Sequence, residues 1–311
     1  MIRVGICSWV DAALIEDGSF YPKKSMTAEA RLRWYARFFD TVEINSSFYA
    51  IPDARNALRW VERTPSDFIF NVKAYAPMTG HHPRPETLPA DVQRLLPRHP
   101  RLTRRGEVDS GTLPNEALDH VFRLFRAALA PLSDAGKLGY VLFQLAPWVR
   151  FDHARLDYLA SLPARLPGLT LAVEFRDRSW FPDHAGETLD ALREARLVHV
   201  IVDAPITPNA VPYVAERTAP TAIFRLHGRN AEGWMRQLRG EEPAVREKYD
   251  YLYTEDELRA LTPDVEAAAA EGERVFVAFN NNNRAFPVQN ALMLKRLLGE
   301  RVEMPTRDLF G

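Results

Sequence analysis

The chain has 311 residues, 46% of them hydrophobic and 26% charged, which excludes a disordered or collagen-like polymer and allows a substantial buried core. Forty basic residues stand against 41 acidic ones for a formal net charge of -1, which removes any global electrostatic case for nucleic acid or an anionic membrane surface. The single cysteine, Cys7, can form no intrachain disulfide, and no Cys/His cluster has zinc spacing, so a reducing, cytoplasmic setting is the expectation.

Strands buried on both faces read as short continuous apolar runs, and eight of them punctuate the chain. The first, 2–7, follows Met1 directly, is too short for a signal-peptide core and has no small-residue cleavage site after it. A helix is predicted next, with Thr27 as N-cap and Leu32, Tyr35, Ala36 and Phe39 at helical spacing. Runs 41–45 and 68–73 follow. A long connection, 79–111, then leads to a helix with Pro114 in its first turn and Leu118, Val121, Phe122, Phe125 and Leu129 on one face. Runs 138–145, 170–175, 198–203 and 221–227 come next, then a second long connection, 228–253. Thr254 and Glu257 form a capping box ahead of Leu258, Leu261 and Val265. Run 274–279 precedes a last helix opened by Pro287 and closed by Gly299. No apolar stretch approaches the roughly 20 residues that span a bilayer.

Strand and helix alternate eight times, which points to an α/β, (β/α)8 TIM-barrel-like fold in one domain, 1–311, with a doubly wound open sheet as the alternative. The excursions 79–111 and 228–253 follow the third and seventh strands. They read either as surface loops or as lids over the barrel mouth, because loops after strands lie on the catalytic face of this fold.

Polar residues fall at the strand ends. Ser8 follows the first run; Glu43 and Asn45 close the second, Asn71 and Lys73 the third, and Gln144 the fourth. Glu174 and Arg176 close the fifth, Asp203 the sixth, Arg225 and His227 the seventh, and Asn280 and Asn281 the eighth. Four of these sets are pairs two residues apart and so share a strand face. Burying such charges alone is prohibitive, so they pair with one another, with water or with a ligand. A purely structural ion network is one solution. A binding site is the preferred one, because barrel cores are normally filled by branched aliphatic side chains.

Individual residues carry competing readings. Only six lysines stand among the 40 basic residues, and Lys73 lies inside an apolar strand. It reads as a point charge for an anion, with a base or Schiff-base amine as the alternative. Glu43 and Glu174 fit an acid/base pair. Glu174, Asp203 and His227 offer oxygen and imidazole ligands for a divalent metal, but Lys73, Arg176 and Arg225 argue against a cation there; no cofactor is predicted. Cys7 reads as a core residue rather than a nucleophile. His81 and His82 read as loop residues unless a lid brings one to the site. Trp9, Phe48, Tyr49, Tyr75, Trp180, Phe181, Trp234 and Phe286 lie just past the strand ends, where aromatic faces beside charges suit a sugar ring or base carrying a phosphate or carboxylate. No phosphate loop or nucleotide fingerprint is present.

The segments FYPKKSM, YARFFDTVEINSSFYAIP, RTPSDFIFNVKA, LGYVLFQLAP, VEFRDRSW, FRLHGRN, YDYLYTEDEL and VFVAFNNNNRAFPVQNALML resemble, in order, the motif blocks of the YecE-like family, domain of unknown function 72. The resemblance covers nearly the whole chain. It implies a TIM-barrel-like fold and a bacterial or archaeal source, and it carries no activity across. Glu43, Asn45, Lys73, Gln144, Glu174, Arg176, Arg225, His227, Gly228 and Asn280 lie inside these blocks, and TGHH at 79–82 is similar to the family's Thr-His motif. After the first strand the chain departs from the family pattern, reading SWVDAALIEDGSFYP.

The leading expectation is an enzyme that binds a small anionic, polyhydroxylated molecule through Lys73, Arg176 and Arg225, with Asn45, Gln144, Asp203, Asn280 and His81 lining the site. Glu43 or Glu174 handles protons, with His227 a further catalytic candidate, in a hydrolysis or isomerisation. The alternatives are a noncatalytic ligand sensor or nucleic-acid-associated module, and a metal-dependent phosphoesterase or isomerase. No membrane partner is expected, nucleic acid is disfavoured, and the oligomeric state is open.

Overall fold

Runs that are apolar on both faces have little to give to water, and in the computed structural model they line up as a closed barrel of eight parallel strands in chain order. The structure describes residues 1–241 and 247–305; the predicted span 1–311 and the excursion 228–253 thus include residues that lie outside the described ones. The strands are β1 (Ile2–Cys7), β2 (Thr41–Ile44), β3 (Ile69–Lys73), β4 (Leu138–Gln144), β5 (Leu171–Glu174), β6 (Val198–Asp203), β7 (Thr221–Leu226) and β8 (Arg274–Phe279). Each matches its apolar run to within one residue at either end. Closure excludes the open doubly wound sheet. Among the described residues no helix is long and apolar enough to cross a membrane.

The chain divides into two compact units. The first comprises Met1–Glu43, Arg63–Ile69 and the chain from Val198 onward. In it β8 pairs with β1 from Ile2↔Val275 to Ile6↔Phe279, β6 with β7 from Val200↔Ile223 to Asp203↔Leu226, and β7 with β8 along their length. The β1–β2 ladder is short, with Ile6 opposite Val42 and Cys7 opposite Glu43. One residue earlier the backbones come so close that a Cβ on Gly5 would lie 2.3 Å from the Thr41 carbonyl oxygen.

The Tyr35 hydroxyl completes this seam. It accepts from the Ile6 N–H at 3.1 Å and donates to the Thr41 carbonyl at 2.8 Å. Tyr35 ends the helix Ala28–Tyr35, which Thr27 caps as expected by accepting from the Ala30 N–H. Burial pushes the phenol well above its ordinary pKa, so it remains a donor. Tyr35→Phe leaves a buried N–H and a buried carbonyl without this partner and should cost about 1–3 kcal/mol, read as a lower urea midpoint at unchanged m-value. An unchanged midpoint would mean that the seam closes without the hydroxyl.

The same unit carries the helix Glu255–Glu271, opened by the Thr254–Glu257 capping box and burying Leu258, Leu261 and Val265. It also carries the helix Phe286–Leu297 with Pro287 in its first turn; Gly299, just past its end, has φ +82°. The excursion after β7 is not loop throughout, since it contains the helix Ala231–Leu238.

The second unit comprises Ile44–Glu62 and Phe70–Leu197. β4 and β5 pair from Val141↔Leu171 to Gln144↔Glu174. Between β3 and β4 the register slips by one residue after Phe70↔Leu138, so that Val72 faces Val141 and Lys73 faces Leu142. The helix Asn115–Asp134 buries the predicted face at Val121, Phe122, Phe125 and Leu129; Pro114 stands at its N-cap, one position earlier than expected. The connection 79–111 is built of short helical turns and an antiparallel bridge between Leu102 and Val108.

Candidate functional site

Polar networks grow from the strand ends in both units. In the first unit, Arg225 on β7 forks onto Glu43 on β2, with Nη2 2.6 Å from Oε1 and Nε 3.0 Å from Oε2. Both side chains are essentially sealed from solvent, at 1% and 0% exposure. Planar bidentate geometry suits guanidinium and carboxylate, and it lets each ion answer the other's buried charge. The Cys7 thiol donates to Glu43 Oε1 at 3.2 Å. Burial first, then the Glu43 charge, pushes that thiol well above its ordinary pKa, which suits a core residue and not a nucleophile.

At the end of β6, Asp203 accepts from Arg229 Nη2 at 2.8 Å and Nε at 3.0 Å, and from the Tyr253 hydroxyl at 2.6 Å. The Tyr253 oxygen in turn accepts from the Gly228 N–H at 2.8 Å. Arg229 also reaches Glu257 at 3.3 Å, and Tyr251 donates to the same carboxylate. Gly228 has φ +84° and packs so closely that a Cβ there would lie 2.6 Å from Tyr251 Cβ. Sequence reasoning missed Arg229 and Tyr253 and read Glu257 only as a cap. The signal for Arg229 was present, because it extends the two-residue spacing of Arg225 and His227 one step past the strand.

His227, fully buried, accepts at Nδ1 from the Asn280 amide at 2.8 Å. Asn282 donates towards Asn280 Oδ1 at 3.4 Å and the Cys7 carbonyl at 3.3 Å. Asn281 instead ties the Tyr251 carbonyl and Asn290 and has a framework role. Among the described residues no three His, Cys, Asp or Glu side chains gather as a metal site. Asp203 is committed to Arg229 and Tyr253, and His227 Nδ1 to Asn280.

The second unit holds a different arrangement. Lys73 Nζ, at the end of β3, donates to Gln144 Oε1 at 2.7 Å; Gln144 Nε2, at the end of β4, donates to Glu174 Oε1 at 2.7 Å. Arg176, just past β5, reaches the same oxygen at 3.2 Å. Two cations therefore flank one fully buried carboxylate, one of them through an amide spacer. The Phe48 ring lies under Lys73, with Nζ 4.2 Å from its centroid. Phe48 belongs to the turn Ser46–Phe48, and that turn is tied to β3 by Ser47 Oγ, 2.6 Å from the Lys73 carbonyl. Asn45 precedes the turn, and its Oδ1 is buried with no hydrogen-bond partner among the described residues.

The TGHH segment belongs to this network. His81 packs edge-on against Phe48 at 4.8 Å and beside Trp148 at 5.6 Å, while His82 stacks on Trp148 at 5.1 Å. Burial, and then the charges of Lys73, Arg176 and His82, push the His81 pKa down to about 3. Trp148 is 52% exposed and donates to the Gly80 carbonyl, so an indole face stays available at the rim. Of the aromatic residues expected at the strand ends, Tyr75, Trp180 and Phe181 are buried in packing; Trp9 is also buried, and its indole N–H donates to the Ala28 carbonyl. Tyr49 is 72% exposed.

The predicted residues thus separate by unit. Glu43, Asp203, Arg225, His227 and Asn280 join networks of the first, and Lys73, Gln144, Glu174, Arg176 and His81 join one network of the second. Comparison with known proteins identifies the family. The model of the family described as "Protein of unknown function DUF72" matches residues 3–309. The UPF0759 protein YunF of Bacillus subtilis (strain 168) is 33% identical over 302 residues, covering 96% of this chain and 95% of YunF. A solved DUF72 family structure from Enterococcus faecalis V583 matches at TM-score 0.79 and 26% identity, over 97% of both chains. Another, from Thermotoga maritima MSB8, matches at TM-score 0.72 and 29% identity, over 96% of this chain and all of its own.

Proposed function

The chain belongs to the DUF72 family, and from that premise we propose that it is an enzyme binding a small anionic, polyhydroxylated substrate at the carboxyl ends of β3, β4 and β5. The observation that carries the reading is the series Lys73–Gln144–Glu174–Arg176. Its formal charge is positive, whereas the Glu43–Arg225 pair neutralises itself. An anion therefore gains more at Lys73 and Arg176 than at Arg225. Lys73 supplies a compact point charge and Arg176 a planar fork, two donor geometries that suit a phosphate or carboxylate. The buried Asn45 oxygen suits a ligand hydroxyl, and Phe48 and Trp148 offer aromatic faces to a ring. Phosphosugars and nucleotide-like molecules combine these features.

Glu174 orients Gln144 and Arg176 and is the carboxylate of this cluster for proton handling in a hydrolysis or isomerisation. Glu43 has both oxygens engaged by Arg225 and holds the core in this reading.

The test is a thermal-shift panel of sugar phosphates and nucleotides beside their uncharged counterparts, followed by product analysis of every hit. Ligand at a hundredfold excess over Kd adds about 2.7 kcal/mol of stability, enough to move the midpoint by a few degrees. Phosphorylated members should stabilise the protein and neutral counterparts should not. Equal response to both classes would sink the anion site. Stabilisation without turnover of any hit would make the protein a ligand-binding module instead of an enzyme.

A further inference from the structure

The Thr79 hydroxyl has one proton and two neighbours, the Ala76 carbonyl at 2.9 Å and His81 Nδ1 at 2.8 Å. A carbonyl only accepts, so both contacts are hydrogen bonds only when the hydroxyl proton is given to Ala76. His81 Nδ1 must then be the donor to Thr79 Oγ, and the neutral imidazole is fixed as its Nδ1–H tautomer. Nε2 is left with a lone pair, and it has no hydrogen-bond partner among the described residues. Thr79 is buried and its own carbonyl accepts from the Ala146 N–H, so this support is part of the framework. Phe48 carries both Lys73 Nζ and the His81 ring on its surface, which sets the imidazole beside the cationic part of the cluster.

We infer that His81 is a general acid of the anion site, acting beside the Glu174 carboxylate and held by Thr79 as a positioning residue, and that an anion bound by Lys73 and Arg176 brings a proton with it onto His81 Nε2. This rests on the function proposed above and adds an acid to the Glu174 carboxylate named there. The groups facing His81 are Lys73 from β3, Arg176 beyond β5, the neighbouring His82, and the Phe48 and Trp148 rings. The charged groups among them oppose an imidazolium in the empty site. A bound anion offsets Lys73 and Arg176 and gives the new Nε2–H an oxygen to bond. The proton comes from solvent. In a hydrolysis the substrate's bond to its leaving oxygen breaks with the electron pair going to that oxygen, the Nε2 proton moves onto it to form O–H, water adds to the other fragment and gives its proton to solvent, and the imidazole returns to its neutral form. The acid is thus loaded only when an anion is in place.

Linkage sets the sign of the pH dependence. The pKa is low in the empty site and higher in the complex, so anion affinity is flat above the complex's value and rises as pH falls through it, by about tenfold per unit until the empty-site value of about 3 is reached. The test uses the full chain with 15N-labelled histidine and sulfate, whose charge is constant across this range. His81→Gln identifies the His81 signals, and the spectrum reads tautomer and protonation directly. The expected result is Nδ1–H without sulfate and, at pH 4.5, a rise of at least about tenfold in protonated His81 on saturation with sulfate. Thr79→Val should release the tautomer and weaken the coupling while sulfate still binds, and Thr79→Ser should restore both. An Nε2–H tautomer in the sulfate-free protein would overturn the inference. So would sulfate binding with His81 protonation unchanged, which leaves the anion site standing. Absence of sulfate binding would remove the anion site and this inference together.

Discussion

Arg225→Met lowers the stability of the fold by about 3–5 kcal/mol, the usual effect of deleting one partner of a buried ion pair. The cause is what remains behind. Glu43 has 0% side-chain exposure, and both its oxygens are met by the guanidinium; methionine fills much of the space but leaves the carboxylate without its counter-charge. The neighbouring Cys7 thiol offers a single weak hydrogen bond in compensation. Urea denaturation checks the expectation, with the loss read as a lower midpoint. The double substitution Glu43→Leu, Arg225→Met should recover most of the loss, because a well-packed apolar pair often equals or exceeds a buried salt bridge. A single variant as stable as the parent would mean that water or another group reaches Glu43. A double variant no better than the single one would mean that the pair's packing, not its charge, holds the site.

Loss of either cation at the second-unit cluster should weaken sulfate or a phosphorylated ligand by roughly 10- to 100-fold, because a hydrogen bond to a charged group contributes about 1.5–3 kcal/mol. Lys73→Met is the informative variant for the first cation: it keeps an unbranched stem over Phe48 and removes the ammonium. Arg176→Lys tests geometry apart from charge, since lysine keeps the charge but not the planar fork. It should retain more affinity than Arg176→Met and less than the parent. Isothermal titration at moderate salt measures all three, and raised ionic strength should weaken the parent more than the charge-deleted variants. Parental affinity in Lys73→Met would remove Lys73 from the site and leave the cluster as a structural network.

The barrel was legible because each strand is largely buried on both faces and therefore appears as a short, predominantly apolar run; 198–203 and 274–279 match β6 and β8 residue for residue. The helix caps Thr27 and Thr254 were legible because capping is local chemistry, decided within three or four residues. Pairing was not legible. Glu43 and Arg225 are 182 residues apart, and nothing in either strand says that they will meet and not share a ligand. Arg229 lies past the end of its strand, and Tyr253 beyond the helix that follows, so neither stood in the positions where strand-end logic looks. The TGHH segment was ambiguous for a related reason. A histidine in a long connection gives no sign of its neighbours, and only the packing of Phe48 and Trp148 around His81 gives it a place.

Gln144 has a consequence beyond its own two hydrogen bonds. Its amide carries the dipole that lets it accept from the Lys73 ammonium at one end and donate to the Glu174 carboxylate at the other. An apolar residue of similar length would leave the Lys73 ammonium and the Glu174 carboxylate each short of one hydrogen bond, and a glutamate would add a second negative charge between them. Position 144 therefore works as an insulator, and what it preserves is an electric field. On the proposed anion-binding function, drift at this position would weaken the site while every charged residue around it stayed unchanged, so a relative that keeps Lys73, Glu174 and Arg176 but not Gln144 is expected to bind sulfate more weakly.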